Sequence, residues 1–512
     1  MKRKIQVCTK LKYKKRSHRV AKILSIDPNT GKAQFGPLEE STEQEVDLCA
    51  QRASALARSW SSTSLSTRAT VLEAIALKLD ANSSDISQLA NSETALGVDR
   101  LSNEIARTTF QLRAFADALR EGSLWATEIN EPIAGLPPAG RPHLSRFLIG
   151  IGPVAIFGAG NFPFAFGELG GDTASALAAG CPVIVKEHPG HPSLARRVIE
   201  LSRQALEEIG QNPDLIQGVR GLNAGISLVE HSDICAVGFT GSQFAGRLLF
   251  DIAQKRKVPI PFYGELGSMN PVFVTLAALN SRKEQIATQA AGSISMGLGQ
   301  LCTKPALLFV PDDDEFVEIL VTKLMEVANG PLLSPSSRER FVSNVALVSK
   351  VKGVQQLLSI DRSEGSLDVS TGLLSTTLEN FLEEPHQLLR ECFGPVALLV
   401  RVSGNDDFVK AVSVLEGCLV VSIQAEAAVD QDFVSSLMAP LSEKTGRIVI
   451  NGWPTGVSVA PAQNHGGPYP ASTSSLHTSV GLHAAERFMR PVVIQNTDAG
   501  EWPNLGVALI SQ

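Results

Sequence analysis

Two residues in one stretch have the chemistry of a nucleophile and a base. Gly264-Glu265-Leu266-Gly267 puts a carboxylate at the end of an apolar run, Val258 to Tyr263. Gly299-Gln300-Leu301-Cys302-Thr303-Lys304-Pro305 puts a thiol among short loop residues. A nucleophilic cysteine needs thiolate character, an exposed loop position and a nearby base. A carboxylate in a partly apolar pocket has a raised pKa and can take a proton from water near neutral pH. Each residue alone has a plainer explanation: a buried cysteine is usually a small hydrophobe, and a glutamate at a strand end usually pairs with an arginine or a backbone N–H. Their order and flanking residues are more specific than either residue.

Other stretches could serve the same chemistry. Gly158-Ala159-Gly160-Asn161-Phe162-Pro163 follows a strand pattern directly. Small residues permit a tight turn near a ligand, and an Asn amide there can donate to a developing oxyanion or simply cap its own turn. Lys186 ends the next strand, at the sheet edge where ligands bind in parallel α/β folds; it could equally be a solvated lysine. Gly238-Phe239-Thr240-Gly241-Ser242 runs from strand to helix, a start that attracts phosphate, although Gly-x-Gly-x-x-Gly is absent. Glu391-Cys392-Phe393-Gly394-Pro395 reads alone as a charged turn before a strand.

In this order and spacing, the five motifs resemble those of the aldehyde dehydrogenase superfamily, from about Ile23 to the C-terminus. The resemblance implies Cys302 as nucleophile, Glu265 as general base, and an oxyanion hole made by Asn161 and the Cys302 N–H. It implies that Lys186 touches the adenosine ribose, that Gly241 and Ser242 meet the pyrophosphate, that Glu391 holds the nicotinamide ribose and that Phe393 packs beside the nicotinamide. Phe162, Phe166 and Leu169 are expected to line the substrate tunnel. Many NAD-using members carry a ribose-gripping Glu three residues after the lysine. Pro189 stands there, so the cofactor is NADP or NAD with NADP favoured; Glu187 close by weakens that step, and Arg220 is a candidate phosphate partner. Gly170 to Pro182 and Glu265 to Val274 resemble bacterial 2-oxoglutarate semialdehyde dehydrogenases and related NADP-dependent enzymes, in which Ser268-Met269 replaces the usual Gly-Lys. The implied reaction oxidises an aldehyde to an acid through a cysteine thioester, with 2-oxoglutarate semialdehyde as substrate. The alternatives are a broad NADP-dependent aliphatic aldehyde dehydrogenase and a catalytically silent binding protein. Glu265 argues against a CoA-acylating relative, which needs no hydrolytic base.

The elements that must position these residues are legible in outline. At 512 residues and 44% apolar, the chain is too long for one core and too apolar for disorder. The seven cysteines form no Cys-x-x-Cys and the nine histidines no ligand spacing, so we expect a reducing cytoplasm and no metal. Ten basic residues precede Asp27; without them 36 basic residues face 52 acidic ones, a charge of −16, which excludes a nucleic-acid surface. The tail, residues 1–22, reads as disordered. The uncharged run Phe147 to Gly167 is broken by glycines and prolines, so no membrane span is expected.

Helical patterns follow the tail: one capped by Ser41 or Thr42 with Glu45, one capped by Ser66, one near Asp85 to Ala95, and one from Ser102 to Glu121. Trp125 to Arg146 is proline-rich and irregular. From Pro153 short apolar strands alternate with helices, the pattern of a parallel sheet. The fold class is therefore α/β, with two parallel-sheet domains and a small β arm. Residues 23–124 and 149–260 are expected to bind the cofactor and 261–470 to carry catalysis. Residues 125–148 and 480–512 are expected to form the oligomerisation arm of a homodimer or homotetramer.

Overall fold

The computed structural model describes residues 22–123, 127–136, 138–361 and 366–496. The expectations for residues 1–21, for Trp125 and for the stretch after Asn496 lie outside the described residues. The α/β class with two parallel sheets is observed.

The first sheet has five parallel strands in the order Ile216–Arg220, Val183–Glu187, Val154–Phe157, Ala236–Thr240, Phe262–Glu265. Its strands are buried on both faces, as continuous apolar runs require. The chain builds outward from Val154–Phe157 in one direction, then returns to its other side with Ala236–Thr240. The strand order thus reverses between these two neighbours, and ligands bind in the crevice that such a reversal opens at the carboxyl ends. The loops leaving that crevice begin Gly158 to Asn161 and Gly241-Ser242.

The second sheet has seven strands in the order Gln355–Leu358, Gly372–Thr377, Val396–Val402, Leu307–Pro311, Val272–Val274, Val421–Gln424, Ile448–Ile450, parallel except for the first. Phe273 and Phe309 stack at 4.9 Å in its core, with Phe381 and Phe408 edge-on against them. A third, antiparallel sheet joins Met489–Gln495, Leu144–Gly150 and Glu128–Asn130. Among the described residues no helix is long and apolar enough to cross a membrane.

Helix starts show where the sequence pattern needed correcting. Thr42 and Glu45 form the expected capping box before Glu43–Ser61. The next helix, Leu65–Ala81, is capped by Ser64, whose hydroxyl accepts the Thr67 N–H; Ser66 already lies inside it. The long helix spans Val98–Glu121 and starts from Gly97, whose φ of 88° turns the chain into it, four residues before the expected Ser102. Arg100 therefore sits on a helix. The helix before the cysteine loop is Leu276–Ser295, capped by Thr275; a kink at Arg282, φ −138°, hides its first turn from the periodicity.

Candidate active site

Three distant segments converge on Cys302. Glu265 is the last residue of Phe262–Glu265, and its carboxylate is buried. The segment after Asn464 is laid across that strand: Leu266 N–H donates to Ala471 O at 2.8 Å and Thr473 N–H to Gly264 O at 2.9 Å. This pairing brings His465 and Ser479 to Glu265. The Ser479 hydroxyl donates to Glu265 Oε2 at 2.8 Å. His465 Nε2 lies 3.1 Å from Glu265 Oε1 and 3.6 Å from Cys302 Sγ. The contact is not an aligned hydrogen bond, and Oε1 has no hydrogen-bond partner. That leaves Oε1 a lone pair for water. A cavity of about 20 Å³ lies against Glu265, lined also by His465, Ser472 and Ser479, which is room for one water molecule.

The nucleophile loop is held from several sides. Met296–Gly299 carries three consecutive left-handed residues, Gly297, Leu298 and Gly299, at φ 58°, 53° and 63°. For Leu298 this backbone costs about 1 kcal/mol. A Cβ on Gly299 would stand 2.3 Å from Gly394 O, so only glycine lets this loop meet the Glu391 loop. Asn270 Nδ2 donates to the carbonyls of Cys302 and Lys304 at 2.8 and 2.9 Å. Ser268 donates to Asn270 Oδ1 and accepts the Leu419 N–H, so the Ser268 departure builds part of this clamp. The buried Lys304 ammonium donates to the carbonyls of Cys392, Gly394 and Val396; burial pulls it down to about 8.

Burial, then the charge of Glu265, push the half-buried Cys302 thiol well above its usual range. The thiol rests protonated with two acceptors beside it. Burial also works against ionising Glu265, but His465, Ser479 and Cys302 outweigh it and hold the carboxyl below its usual value. This corrects the raised pKa expected from an apolar pocket: the pocket wall is polar on the side the sequence pattern did not reveal.

The other expected site residues fall as follows. Asn161 is buried, and its amide donates to Gln300 O at 2.8 Å, beside the nucleophile. Phe162 and Phe166 meet edge-on at 5.6 Å, and Phe166 lies 5.8 Å from the His465 ring. Leu169 is 3% exposed and packs in the core cluster of the first sheet, just before the helix Gly171–Ala178. Ser242 caps the helix Gln243–Lys255 and follows Gly241 at the crevice. Glu391 presses its carboxylate against Gly267, where a Cβ would stand 2.1 Å from it. Phe393 is half-buried two residues on. Arg220 donates to Glu187 through two 2.8 Å hydrogen bonds from Nε and Nη2.

These residues fit a dinucleotide. The carboxyl ends of the first sheet form a crevice with a helix start at Ser242, and burial pulls the Lys186 amine down to about 8, a cost that a phosphate or ribose partner would offset.

Sequence reasoning missed His465, Ser479 and the arginines Arg100 and Arg107. His465 has no partner at metal-ligand spacing in the sequence that would single it out. The available signal was His465 opening the Gly-Gly-Pro-Tyr-Pro loop, a turn-rich segment with a single histidine. Its ring nitrogen, Cys302 Sγ and a Glu265 oxygen lie within 4.8 Å of one another, a spacing that a metal ion could also bridge.

An aldehyde dehydrogenase family model matches residues 14–494, and the chain belongs to that family. It is 37% identical over 461 residues to an alpha-ketoglutaric semialdehyde dehydrogenase of Acinetobacter baylyi, covering 90% of this chain and 88% of the relative. It is 36% identical over 480 residues to alpha-ketoglutaric semialdehyde dehydrogenase 2 of Azospirillum brasilense, covering 93% and 91%. In fold it resembles a betaine aldehyde dehydrogenase variant of Staphylococcus aureus, TM-score 0.79 at 19% identity over 93% of both chains. It also resembles the NADP complex of a glyceraldehyde-3-phosphate dehydrogenase of Methanocaldococcus jannaschii, TM-score 0.77 at 18% identity over 93% and 99%.

Proposed function

We propose that this aldehyde dehydrogenase oxidises 2-oxoglutarate semialdehyde to 2-oxoglutarate through a thioester on Cys302. The observation that carries the chemistry is the cluster of Cys302 Sγ, His465 Nε2 and Glu265 Oε1. The names of the Acinetobacter and Azospirillum relatives support the substrate.

The Cys302 proton passes to His465, or to Glu265, which releases it to solvent before the hydrolytic step, and the sulfur adds to the aldehyde carbon. Asn161 keeps its bond to Gln300 and has a second amide hydrogen for the oxyanion, with the Cys302 N–H as its other donor. A bound nicotinamide dinucleotide supplies the acceptor for the departing hydride. Glu265 Oε1 then takes a proton from water, the water oxygen attacks the thioester carbon, and the Cys302 thiolate leaves as the acid is released.

Lys186, Gly241, Ser242, Glu391 and Phe393 hold the cofactor. Pro189 offers no carboxylate to repel a 2′-phosphate, and Glu187 is spent on Arg220, so NADP is favoured. The first sheet and its helices form the cofactor-binding domain and the seven-stranded sheet the catalytic domain. The antiparallel sheet is the arm of a homodimer or homotetramer.

A panel of aldehydes assayed with NAD and NADP tests this. The highest kcat/KM is expected with 2-oxoglutarate semialdehyde, and NADP should serve at least as well as NAD. A hundredfold preference for NAD, about 2.7 kcal/mol, would overturn the cofactor assignment. Better turnover of a neutral aliphatic aldehyde would overturn the substrate.

A further inference from the structure

Three metal-ligating atoms of three kinds meet at the nucleophile. Cys302 Sγ, His465 Nε2 and a Glu265 carboxylate oxygen lie within 4.8 Å of one another, and among the described residues no other His, Cys, Asp or Glu side chains gather in threes so closely. The ring nitrogen is 3.6 Å from the sulfur and 3.1 Å from Glu265 Oε1. Zinc takes a thiolate at about 2.3 Å and an imidazole or carboxylate at about 2.0 to 2.2 Å, in a tetrahedron. Those bond lengths set sulfur and nitrogen about 3.6 Å apart, and nitrogen and oxygen about 3.4 Å apart. Both pairs already stand close to that spacing.

The surroundings favour a cation of this kind. Glu265 Oε1 is buried with no hydrogen-bond partner, while Ser479 donates to Oε2 and fixes the direction of the carboxylate. The backbone of His465 is held as well: its N–H donates to Thr478 Oγ1 at 2.8 Å, and its carbonyl accepts the Ser479 N–H at 2.8 Å. Asn270 clamps the carbonyl of Cys302. The ligands therefore need little rearrangement to close on an ion. Arg107 and Arg447 add positive field at Cys302, so a further cation is tolerated only beside two full negative charges, which thiolate and carboxylate supply. Sulfur, nitrogen and oxygen together suit zinc, whereas magnesium and calcium prefer oxygen alone.

We propose that Cys302, His465 and Glu265 form an inhibitory zinc site. Binding breaks the Cys302 S–H bond, forms a sulfur–zinc bond and releases the proton to solvent; nothing is oxidised or reduced. Three protein ligands leave the fourth position to water. The metal takes the sulfur lone pair needed for attack and the Glu265 lone pair needed to activate water, so both half-reactions stop until it is withdrawn. The inference stands on this geometry and not on the identity of the aldehyde.

The test uses the full chain without cofactor or aldehyde. Iodoacetamide alkylates Cys302, and the mass of the Cys302 peptide follows the rate. Saturating ZnCl2 should slow alkylation about tenfold or more, EDTA should restore it, and MgCl2 should leave it unchanged. His465→Phe removes the ring ligand and keeps an aromatic side chain; half-protection there should need at least about tenfold more zinc. Cobalt(II) in place of zinc should give a sulfur-to-metal charge-transfer band that Cys302→Ser removes. Equal protection by zinc in the wild-type chain and His465→Phe would reduce the site to a lone thiol and overturn the inference. Absence of protection, or an undiminished cobalt band in Cys302→Ser, would overturn it too. Should His465→Phe fail to fold, Glu265→Gln takes its place: a tenfold loss of zinc protection supports the site, and equal protection overturns it. No aldehyde enters these measurements, so failed protection leaves the proposed substrate standing, and a panel favouring another aldehyde leaves the zinc site standing.

Discussion

A nucleophile that rests as a protonated thiol must lose its proton before it attacks, and the two nearest acceptors differ in what else they must do. Glu265 has one oxygen bound by Ser479 and the other without a hydrogen-bond partner, open to a water. His465 stands 3.6 Å from the sulfur and carries no such second duty. We therefore predict a split in Glu265→Gln, which keeps the shape and removes the proton acceptor. One equivalent of reduced cofactor should appear at close to the wild-type rate, with His465 taking the thiol proton. Steady-state turnover should then fall by about 100-fold or more as acyl-enzyme accumulates. Stopped-flow absorbance and the mass of the quenched protein read both phases. A burst slowed as much as turnover would make Glu265 the acceptor in both steps.

At the scale of elements, the loop from Gly158 to Gly170 is pinned by a carboxyl group that the chemistry does not use. Glu168 is fully buried; its Oε1 accepts the His188 N–H at 2.9 Å, while Oε2 has no hydrogen-bond partner. Burial pushes it from 4.5 up to about 8. The folded state thus holds this proton more tightly than the unfolded chain. Its contribution to stability is complete below pH 4.5 and is lost as pH rises through 8. Glu168→Gln keeps the acceptor and removes the titration. The wild-type protein should lose a few kcal/mol more than the variant between pH 5 and pH 8, measured as urea midpoints. Parallel pH profiles for the two proteins would show that the group does not titrate in this range.

The same loop shows what was legible in the sequence. Strand cores were readable because parallel strands buried on both faces leave continuous apolar runs, such as Val183–Glu187 beside Val154–Phe157. Glu265 and Cys302 were readable because their flanking glycines answer to close backbone approaches, at Gly267 and Gly299. His465, Ser479 and Arg107 were not, because each acts across 160 to 215 residues of chain and no local period marks such a meeting.

For the whole molecule, the open question is what covers the antiparallel sheet. Among the described residues Leu144–Gly150 is its centre, so Met489–Gln495 and Glu128–Asn130 are both edges, each with one side that no described strand pairs. Edge strands in stable proteins are usually short, charged or covered. Here Met489–Gln495 is seven residues long, and Val493 is 53% exposed and Ile129 56%. A second copy pairing along an edge would satisfy the backbone there and cover the exposed side chain of that strand, Val493 at one edge or Ile129 at the other. Ile129 pairs with Ser145 and Val493 with Arg146, so the double variant Ile129→Asp, Val493→Asp places one charge at each edge, on opposite faces, and leaves both sheet cores untouched. We predict that the wild-type chain sediments at two or four times its 54.5 kDa mass and the variant as a single chain. The cores of the two parallel sheets are built within one chain, so the variant should still melt cooperatively. Identical sedimentation of the two proteins would move the subunit contact away from this sheet.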